Sequence, residues 1–447
     1  MQDIRHLPEA RPPDRESTLQ RWAEYTGTLG LLAYGVGLLS GAALIAVGQG
    51  LMLLGMLALL PVIWRPLLGD PLFRLSLVFI AYVTAYTLLL NQGSPEPGVD
   101  HIKGLESYLR LGFLPALLIA FWWAGLISRG RAAWPLWAFV AGFYIRVATK
   151  WPVEDWSHGI PTKISFDLYY NAFGMFCALV MAWWLILFLG QKGRARRPAA
   201  LIAIAVAFAI PFLGWLYSLS RGATLAFLAA LPLILFLALR RPKASRRHGR
   251  TGAAIILLVL AAGLVLLGGP VADRFTREQG DLAAFLEQGV ADYAPEKVSS
   301  IGTRLVIWRE AVRLWLDRPV LGYGPGPTKR LIDPLRTEYR IDDAFDFESS
   351  YLELLVRLGL AGALFYALHL WLCLRSFSGG TRADWYPPGT AHFLLAALVI
   401  FGIAVAFREG LLDFRGRNYA TFLLAGLYSF HAARLWPTHP APGNEQK

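Results

Sequence analysis

Residues 168–190 read LYYNAFGMFCALVMAWWLILFLG, an apolar run without a charged side chain. The next eight residues, QKGRARRP at 191–198, carry four basic side chains. An α-helix needs about 20 apolar residues to cross the hydrocarbon core of a bilayer. A basic cluster directly after such a run is typical of a cytoplasmic loop. This stretch therefore predicts a membrane-spanning helix that ends in the cytoplasm.

The rest of the chain has the same character. Of its 447 residues, 55% are hydrophobic and 17% are charged, and the mean hydropathy is +0.45. A soluble globular protein carries about 25% charged residues. Recurring apolar runs predict an all-α, polytopic membrane protein with about twelve transmembrane helices. The approximate cores of the predicted helices are 28–47, 49–64, 72–90, 108–128, 133–149, 168–190, 199–218, 223–239, 252–270, 350–373, 390–407 and 419–434.

Two further features fit this class. The polar N-terminal segment MQDIRHLPEARPPDRESTLQRW has no cleavable signal pattern, so the first apolar run is expected to remain as a spanning helix. Cys177 and Cys373 both lie inside apolar runs, which indicates neither a disulfide framework nor a thiolate metal site.

The loops between the predicted helices alternate in charge and length. Short basic loops belong in the cytoplasm, so both termini are predicted to be cytoplasmic and the longer, mixed-charge loops external. The net charge of +12 then reports orientation and attraction to anionic lipid, and no nucleic-acid partner is predicted. The basic loops are Arg65, RGR at 129–131, QKGRARRP at 191–198 and RRPKASRRHGR at 240–250, and the external loops are 91–107, 150–167, 273–347 and 408–418.

The longest external loop, 273–347, divides the chain into helices one to nine (1–272), the loop itself, and helices ten to twelve (348–447). Loops of this length are usually functional when they carry structure of their own. TRLVIWREAVRLWLDRP (303–319) has helical periodicity, is ended by Pro319, and places Arg304 on the face of Trp308, Ala311 and Trp315. A charge on that face requires a partner, unless it extends to the membrane interface.

Arg221 is a second unexplained charge. It lies in SLSRGATLAF (217–226), at the tight external turn between helices seven and eight. An ionisable group at membrane depth indicates function by default, although it can also mark a turn at the surface. A guanidinium suits bidentate binding of phosphate. By contrast, VLGYGPGPTKR (320–330) predicts a shaped turn and matches neither a Rossmann motif nor a P-loop.

A group of carboxylates precedes the tenth helix in IDDAFDFESSYLELLVRLG (341–359). Glu348 has two interpretations. It can be a carboxylate that the dipole of the following helix stabilises, or a general base at the water–membrane boundary. Repulsion from Asp342, Asp343 and Asp346 is expected to raise its pKa. Within the helix, Glu353 and Arg357 are spaced to form an i, i+4 ion pair.

Oxygen-rich clusters can also hold Mg²⁺ or Mn²⁺. However, the first external turn, predicted at GQG (48–50), adds no acidic pair, and no histidine joins the cluster. No metal site is therefore predicted.

Three motifs occur in order along the chain: SRGA, then TRLVIWREAVRLWLDRPVLGYGPG, then SSYLELLVRLGLAG. Together they resemble the O-antigen ligase and polymerase family of bacterial integral membrane glycosyltransferases. The resemblance implies a GT-C-like inner-membrane protein with about twelve helices and one large, partly helical periplasmic loop, its active site facing the periplasm. It implies that Arg221 and Arg304 bind the pyrophosphate of an undecaprenyl-pyrophosphate-linked glycan. In the family, a histidine base usually occupies the position of Glu348. In this chain Glu348 is the candidate base, and His158 is the second candidate.

The implied reaction moves the glycan onto an acceptor hydroxyl such as that of lipid A–core, with inversion and without metal or cofactor. Arg408, Arg415 and Arg417 in REGLLDFRGRNY (408–419) are predicted either to line the same cleft and bind substrate or to lie in an ordinary wet loop. The alternatives are a polymerase that uses a second lipid-linked glycan as acceptor, a polysaccharide transporter or flippase, and a non-enzymatic scaffold.

Overall fold

A computed structural model describes residues 18–92, 101–111, 113–150, 168, 170–190, 198–218, 220–239, 283, 287, 300–326, 329–339, 346–408 and 410–436. Every regular element in these ranges is helical, which confirms the all-α prediction. The helices are α1 (Thr18–Ser40), α2 (Ala42–Gly69), α3 (Pro71–Gln92), α4 (His101–Arg110), α5 (Phe113–Ser128), α6 (Trp134–Thr149), α7 (Tyr170–Gly190), α8 (Pro198–Ser218), α9 (Arg221–Leu239), α10 (Ser300–Asp317), α11 (Lys329–Tyr339), α12 (Ser350–Arg382), α13 (Pro388–Ala404) and α14 (Phe414–Ala432), with 3-10 turns at Val405–Phe407 and Ala433–Leu435.

The described helices form a multi-pass membrane protein. Six are long and apolar enough to cross a bilayer, and large apolar side chains such as Leu57, Leu89 and Leu364 are exposed on their outer faces. Such exposure suits lipid and not water. The twelve-span count and the division at 272 and 347 remain predictions, and the ninth predicted core (252–270) lies outside the described residues. The six spans are Ala42–Gly69, Pro71–Gln92, His101–Ser128, Asn171–Gly190, Ser350–Arg382 and Pro388–Phe407.

The first hairpin corrects one predicted boundary. The predicted turn at 48–50 is wrong, because α1 ends at Ser40 and the chain reverses at Gly41. Gly48 lies inside α2, where an added Cβ would come within 2.6 Å of the Gly30 carbonyl oxygen. Small residues let helix backbones approach closely in membranes. Gly48 thus serves helix packing rather than a turn.

The helix α12 is kinked, and the segment after α10 fills the kink. Gly359 leaves helical geometry with φ 60° and ψ −161°. The carbonyls of Val356 and Arg357 accept hydrogen bonds from the Tyr323 and Gly324 amides, both at 2.8 Å. Backbone groups released by a kink require new partners inside a membrane protein. The glycine-rich turn therefore supplies the hydrogen bonds that the kinked helix lacks.

A small second core joins α10 and α11 to the start of α12. It contains Val306, Ile307, Ala311, Leu314, Ile332, Leu335, Phe347 and Val356. The predicted helix at 303–319 is confirmed, but its buried stripe follows Ile307, Ala311 and Leu314 rather than Trp315. Arg304 precedes Ile307 by three residues and so lies at the end of that stripe. This packing fixes Arg304 against the membrane helices.

Candidate functional site

Three arginines from separate parts of the chain line one cavity, which is called the cationic cavity below. Its volume is about 40 Å³, and its walls include Arg221, Arg304 and Arg408. These residues belong to α9, α10 and the segment between α13 and α14. Asn171 of α7 and Gly416 of α14 complete its rim. The structure thus brings together the two arginines that the sequence singled out.

Arg221 is positioned by a serine-rich turn. It is the first residue of α9, directly after Ser220, whose hydroxyl accepts a hydrogen bond from the Ala223 amide at 3.3 Å. Ser218 accepts from the Ser220 amide at 3.3 Å and donates to Trp215 at 2.7 Å. Ser218 and Ser220 are both buried, so the turn is held from inside. The guanidinium and the N-terminal end of α9 consequently share one wall of the cavity, and both favour an anion.

Arg304 forms an ion pair with Glu348. Its Nη2 donates to Glu348 Oε2 at 3.2 Å, and the two side chains are 19% and 24% exposed. The pair joins α10 to the segment before α12. Glu348 therefore reaches the cationic cavity through Arg304, which itself lines the cavity.

The backbone at Glu348 is strained. Its φ is +50°, a left-handed conformation that is uncommon for residues other than glycine. The Glu348 amide donates to Asp346 Oδ1 at 2.6 Å, and the preceding Phe347 is fully buried in the second core. The helix begins at Ser350 with Ser349 as its N-cap residue, so Glu348 lies outside the helix. Glu348 thus directly precedes the helix cap and pairs with Arg304, and both the helix-dipole and the general-base interpretations stay predictions.

Burial raises the pKa of the Glu348 carboxyl above its ordinary value, and the Asp346 charge adds to the rise. Arg304 and Arg408 act in the opposite direction. The predicted repulsion is therefore present through Asp346, although burial is the larger cause. Asp342 and Asp343 lie outside the described residues. A carboxylate with a raised pKa is a better proton acceptor than an exposed one.

Arg408 is held by two contacts that the sequence did not reveal. Its Nη2 lies 3.3 Å from Asp413 Oδ2, and Asp413 also caps α14 by accepting from the Gly416 amide. The Ser350 hydroxyl donates to the Arg408 carbonyl at 2.9 Å and accepts from the Gly410 amide at 2.7 Å. An aspartate directly before an apolar helix is a recognisable N-cap signal. That signal identifies Asp413 as a cap but does not reveal its arginine partner.

The remaining predicted residues are placed differently. Arg417 lines a second cavity and not the cationic cavity that Arg408 lines, and its predicted role in substrate binding stays a prediction. Arg415 lines neither of the two cavities. His158 lies outside the described residues. The predicted ion pair between Glu353 and Arg357 is confirmed, and it is buried within α12.

The second cavity, called the apolar cavity below, has a volume of about 740 Å³. It lies between α2, α5 and the start of α14, and its walls are mainly leucine, isoleucine and alanine side chains. Its polar lining includes Arg110, Arg417 and Asn418. Gly416 lines the cationic cavity while Arg417 lines the apolar cavity, so the first turn of α14 separates the two.

The fold and the site together define a multi-pass helical membrane protein with a cationic cavity at its helix ends and a carboxylate paired to one of the cations. A family profile described as O-antigen ligase matches residues 206–367, a segment that contains Arg221, Arg304 and Glu348. An O-antigen ligase of Pseudomonas aeruginosa is 25% identical over 357 residues, which cover 78% of this chain and 74% of that protein. These matches confirm the resemblance seen in the sequence: this chain is similar to O-antigen ligases, which are enzymes of glycosyltransferase type.

Proposed function

We propose that this protein transfers a glycan from undecaprenyl pyrophosphate to a hydroxyl of lipid A–core, at the periplasmic face of the bacterial inner membrane. The observation that carries the proposal is the meeting of Arg221 and Arg304 at one cavity, with Glu348 bonded to Arg304 at 3.2 Å. The family supports a lipid-linked glycan as donor. The basic loops support the orientation, because the cationic cavity lies at the helix ends opposite to them.

The donor's diphosphate would bind in the cationic cavity. Three arginines supply planar donors that match phosphate oxygens, and the N-terminal end of α9 adds backbone N–H groups. The cavity is too small for a sugar ring, so the diphosphate oxygens would meet the arginines while the glycan remains outside in water and the lipid tail lies among the helices. Arg408, braced by Asp413, lines the same cavity and would contribute to the same binding.

The reaction is a direct displacement. The acceptor oxygen forms a bond to the anomeric carbon as the bond from that carbon to the diphosphate oxygen breaks, and the acceptor proton passes to Glu348. This single step inverts the anomeric configuration. Charge grows on the departing diphosphate, and preorganised guanidinium groups in a partly dry site stabilise it. Because these cations take the role that a metal plays elsewhere, we expect transfer to persist in a chelator.

Arg304 links donor binding to the strength of the base. In the free protein its charge lowers the pKa of Glu348. A bound diphosphate would compensate that charge, so the pKa of Glu348 would rise further and the carboxylate would become a stronger proton acceptor. The ion pair thus holds the base in place before the donor arrives and loosens when it binds.

The test is transfer of a lipid-linked glycan to lipid A–core by purified protein. Arg221→Gln and Arg304→Gln should each lower the turnover rate by about 10²–10³-fold, because each removes one charge from the leaving diphosphate. Arg313→Gln is the matched control, since Arg313 lies on the outer face of the same helix as Arg304 with its side chain 68% exposed. If the cavity variants retain the rate of the control, this proposal is wrong.

A polymerase is the second candidate, favoured by Glu348 at the position where the family usually has histidine. It would extend one lipid-linked glycan with another, using the same donor site. Incubation with two lipid-linked glycans and no lipid A–core separates the candidates, because chain lengthening would exclude a pure ligase. Flipping of the lipid across proteoliposomes without covalent transfer would contradict both.

A further inference from the structure

Arg417 is a buried cation that the proposed chemistry does not use. It is 6% exposed, and within the part of the chain that the structure describes its guanidinium has no hydrogen bond or ion pair. A buried charge without a partner is costly. Arg417 lines the apolar cavity, so its unfilled hydrogen-bonding capacity faces a space that a ligand can enter.

Two carboxylates, Asp413 and Glu106, attract Arg417 from a distance, but Asp413 is paired with Arg408 and Glu106 with Arg110, so one positive charge remains in excess. Arg110, the other arginine of the lining, forms an ion pair with Glu106. Asn418 is also engaged, because its amide donates to the Phe414 carbonyl and its oxygen accepts from Tyr34. Arg417 is therefore the group at this cavity that can bind an anionic ligand. A guanidinium forms two parallel hydrogen bonds with a phosphate group, so phosphate is the anion that fits best.

The rest of the apolar cavity has the dimensions of a lipid site. Its lining on α2 extends from Ala42 to Leu67, which corresponds to about 37 Å along a helix at 1.5 Å per residue. This spans the hydrocarbon core, about 30 Å thick, and so exceeds the roughly 15 Å that the acyl chains of one leaflet occupy. Leu53 and Leu57 of this lining are half exposed, so the cavity opens on the outer face of α2. Apolar chains can enter it sideways from the bilayer.

The position of Arg417 relative to the cationic cavity indicates which lipid binds. The diphosphate of the donor belongs with Arg221, Arg304 and Arg408, on the other side of the first turn of α14. Arg417 follows Gly416, which lines that cavity, so a phosphate on Arg417 lies one helical wall away from the reacting centre. A lipid anchored there would present its sugar across the turn towards Glu348.

We propose that the apolar cavity binds the acyl chains of the acceptor lipid and that Arg417 binds a phosphate on that lipid. The inference rests on the proposed function, since it assigns the place of the second substrate. It separates the two lipids on opposite sides of α14, with the donor on the side of α9 and α10 and the acceptor on the side of α2 and α5.

The experiment uses the full-length protein in phosphatidylcholine nanodiscs. Binding of lipid A–core, intact or treated with phosphatase, is measured by native mass spectrometry without donor. We expect the intact lipid to bind at least about tenfold more tightly than the treated lipid, and Arg417→Gln to remove that difference. Arg417→Lys keeps the charge and should retain most of the preference. Arg65→Gln, an exposed arginine at the far end of α2, is the matched control and should bind like the unaltered protein.

Transfer kinetics supply a second readout. Arg417→Gln should raise KM for the phosphorylated acceptor by at least about tenfold and leave KM for the donor unchanged. A rise in the donor KM instead, equal binding of treated and intact lipid, or equal competition by phosphatidylglycerol would each overturn the inference. Arg417-dependent binding with no transfer by the unaltered protein would overturn the proposed function but support the lipid site.

Discussion

Glu348 has three features that a simple surface carboxylate does not need. Its backbone is held at φ +50°, its pKa is raised mainly by burial, and it pairs with a cation of the cationic cavity. A left-handed conformation costs a non-glycine residue about 1–3 kcal/mol and persists when the surroundings enforce it. Here Phe347 in the second core and the Asp346 turn enforce it. The strain thus directs the carboxylate to Arg304.

The acid limb of the pH–rate profile should report Glu348. The base form exists above the pKa of this group, so transfer should fall as the pH drops through a raised value, above the ordinary 4.5 of a glutamate. The limb for kcat, which reports the donor-bound enzyme, should lie at higher pH than the limb for kcat/KM. Glu348→His should retain activity with its limb below about pH 6.5, because burial and the nearby Arg304 and Arg408 lower the pKa of an imidazole below its ordinary value.

Two controls make that profile decisive. Glu348→Gln should be inactive at every pH, whereas Glu310→Gln, on a helix face away from the cationic cavity, should follow the unaltered protein. If Glu348→Gln keeps both the rate and the acid limb, then the proton acceptor is another group.

At the scale of helices, the site depends on a kink and the turn that fills it. The α12 helix breaks at Gly359, and the Leu360 and Ala361 amides donate to Pro319 and Val320 at 2.9 and 3.0 Å. These bonds connect the C-terminal end of α10 to α12. Since Arg304 lies on α10 and Glu348 precedes α12, the kink helps to fix the distance between the two charged groups.

Gly359→Ala should therefore weaken both stability and transfer. An added Cβ would lie 2.3 Å from the Val320 carbonyl oxygen, and φ +60° with ψ −161° is a region that only glycine adopts readily. We expect a loss of about 2–4 kcal/mol, seen as a lower apparent Tm in detergent. Gly389→Ala is the control, because nothing lies within 4 Å of the added Cβ there. Equal melting of the two variants would contradict this account.

At the scale of the whole molecule, α14 is the element that both cavities share. It packs against α5 and α12, and its start separates the cationic cavity from the apolar cavity. The close α1–α2 hairpin supports α5, because the Trp122 indole donates to the Met52 carbonyl at 3.0 Å. Packing of the first hairpin thus influences the shape of the apolar cavity, because the hairpin supplies α2 and contacts α5, which both line that cavity.

The Gly48→Ala variant tests that hairpin. Its Cβ would lie 2.6 Å from the Gly30 carbonyl oxygen and from the Tyr34 amide nitrogen, so α1 and α2 would have to separate. We expect the apparent Tm to fall by several degrees, the effect of about 1–3 kcal/mol of overpacking. Gly50→Ala, two residues along the same helix with nothing within 4 Å, should leave it unchanged or slightly higher. The packing account is wrong if both variants melt alike.

Local patterns predicted the all-helical class and singled out the unusual charges, but they did not predict α11. Hydropathy reports whether a segment can cross a bilayer, and helical periodicity placed Arg304 on the buried face of α10. The same patterns misplaced the first turn, because the sequence alone does not show whether the glycine at position 48 ends a helix or packs against a neighbouring helix.

Which charges meet depends on contacts between segments far apart in the chain, and no local pattern encodes them. Arg304 and Glu348 are 44 residues apart and bond at 3.2 Å, whereas the neighbours Gly416 and Arg417 face different cavities. Consecutive residues on a helix point about 100° apart, so a position one residue further along belongs to another surface. The composition of the sequence therefore determines that this is a membrane protein. The division into two cavities depends on how α14 packs between its neighbours.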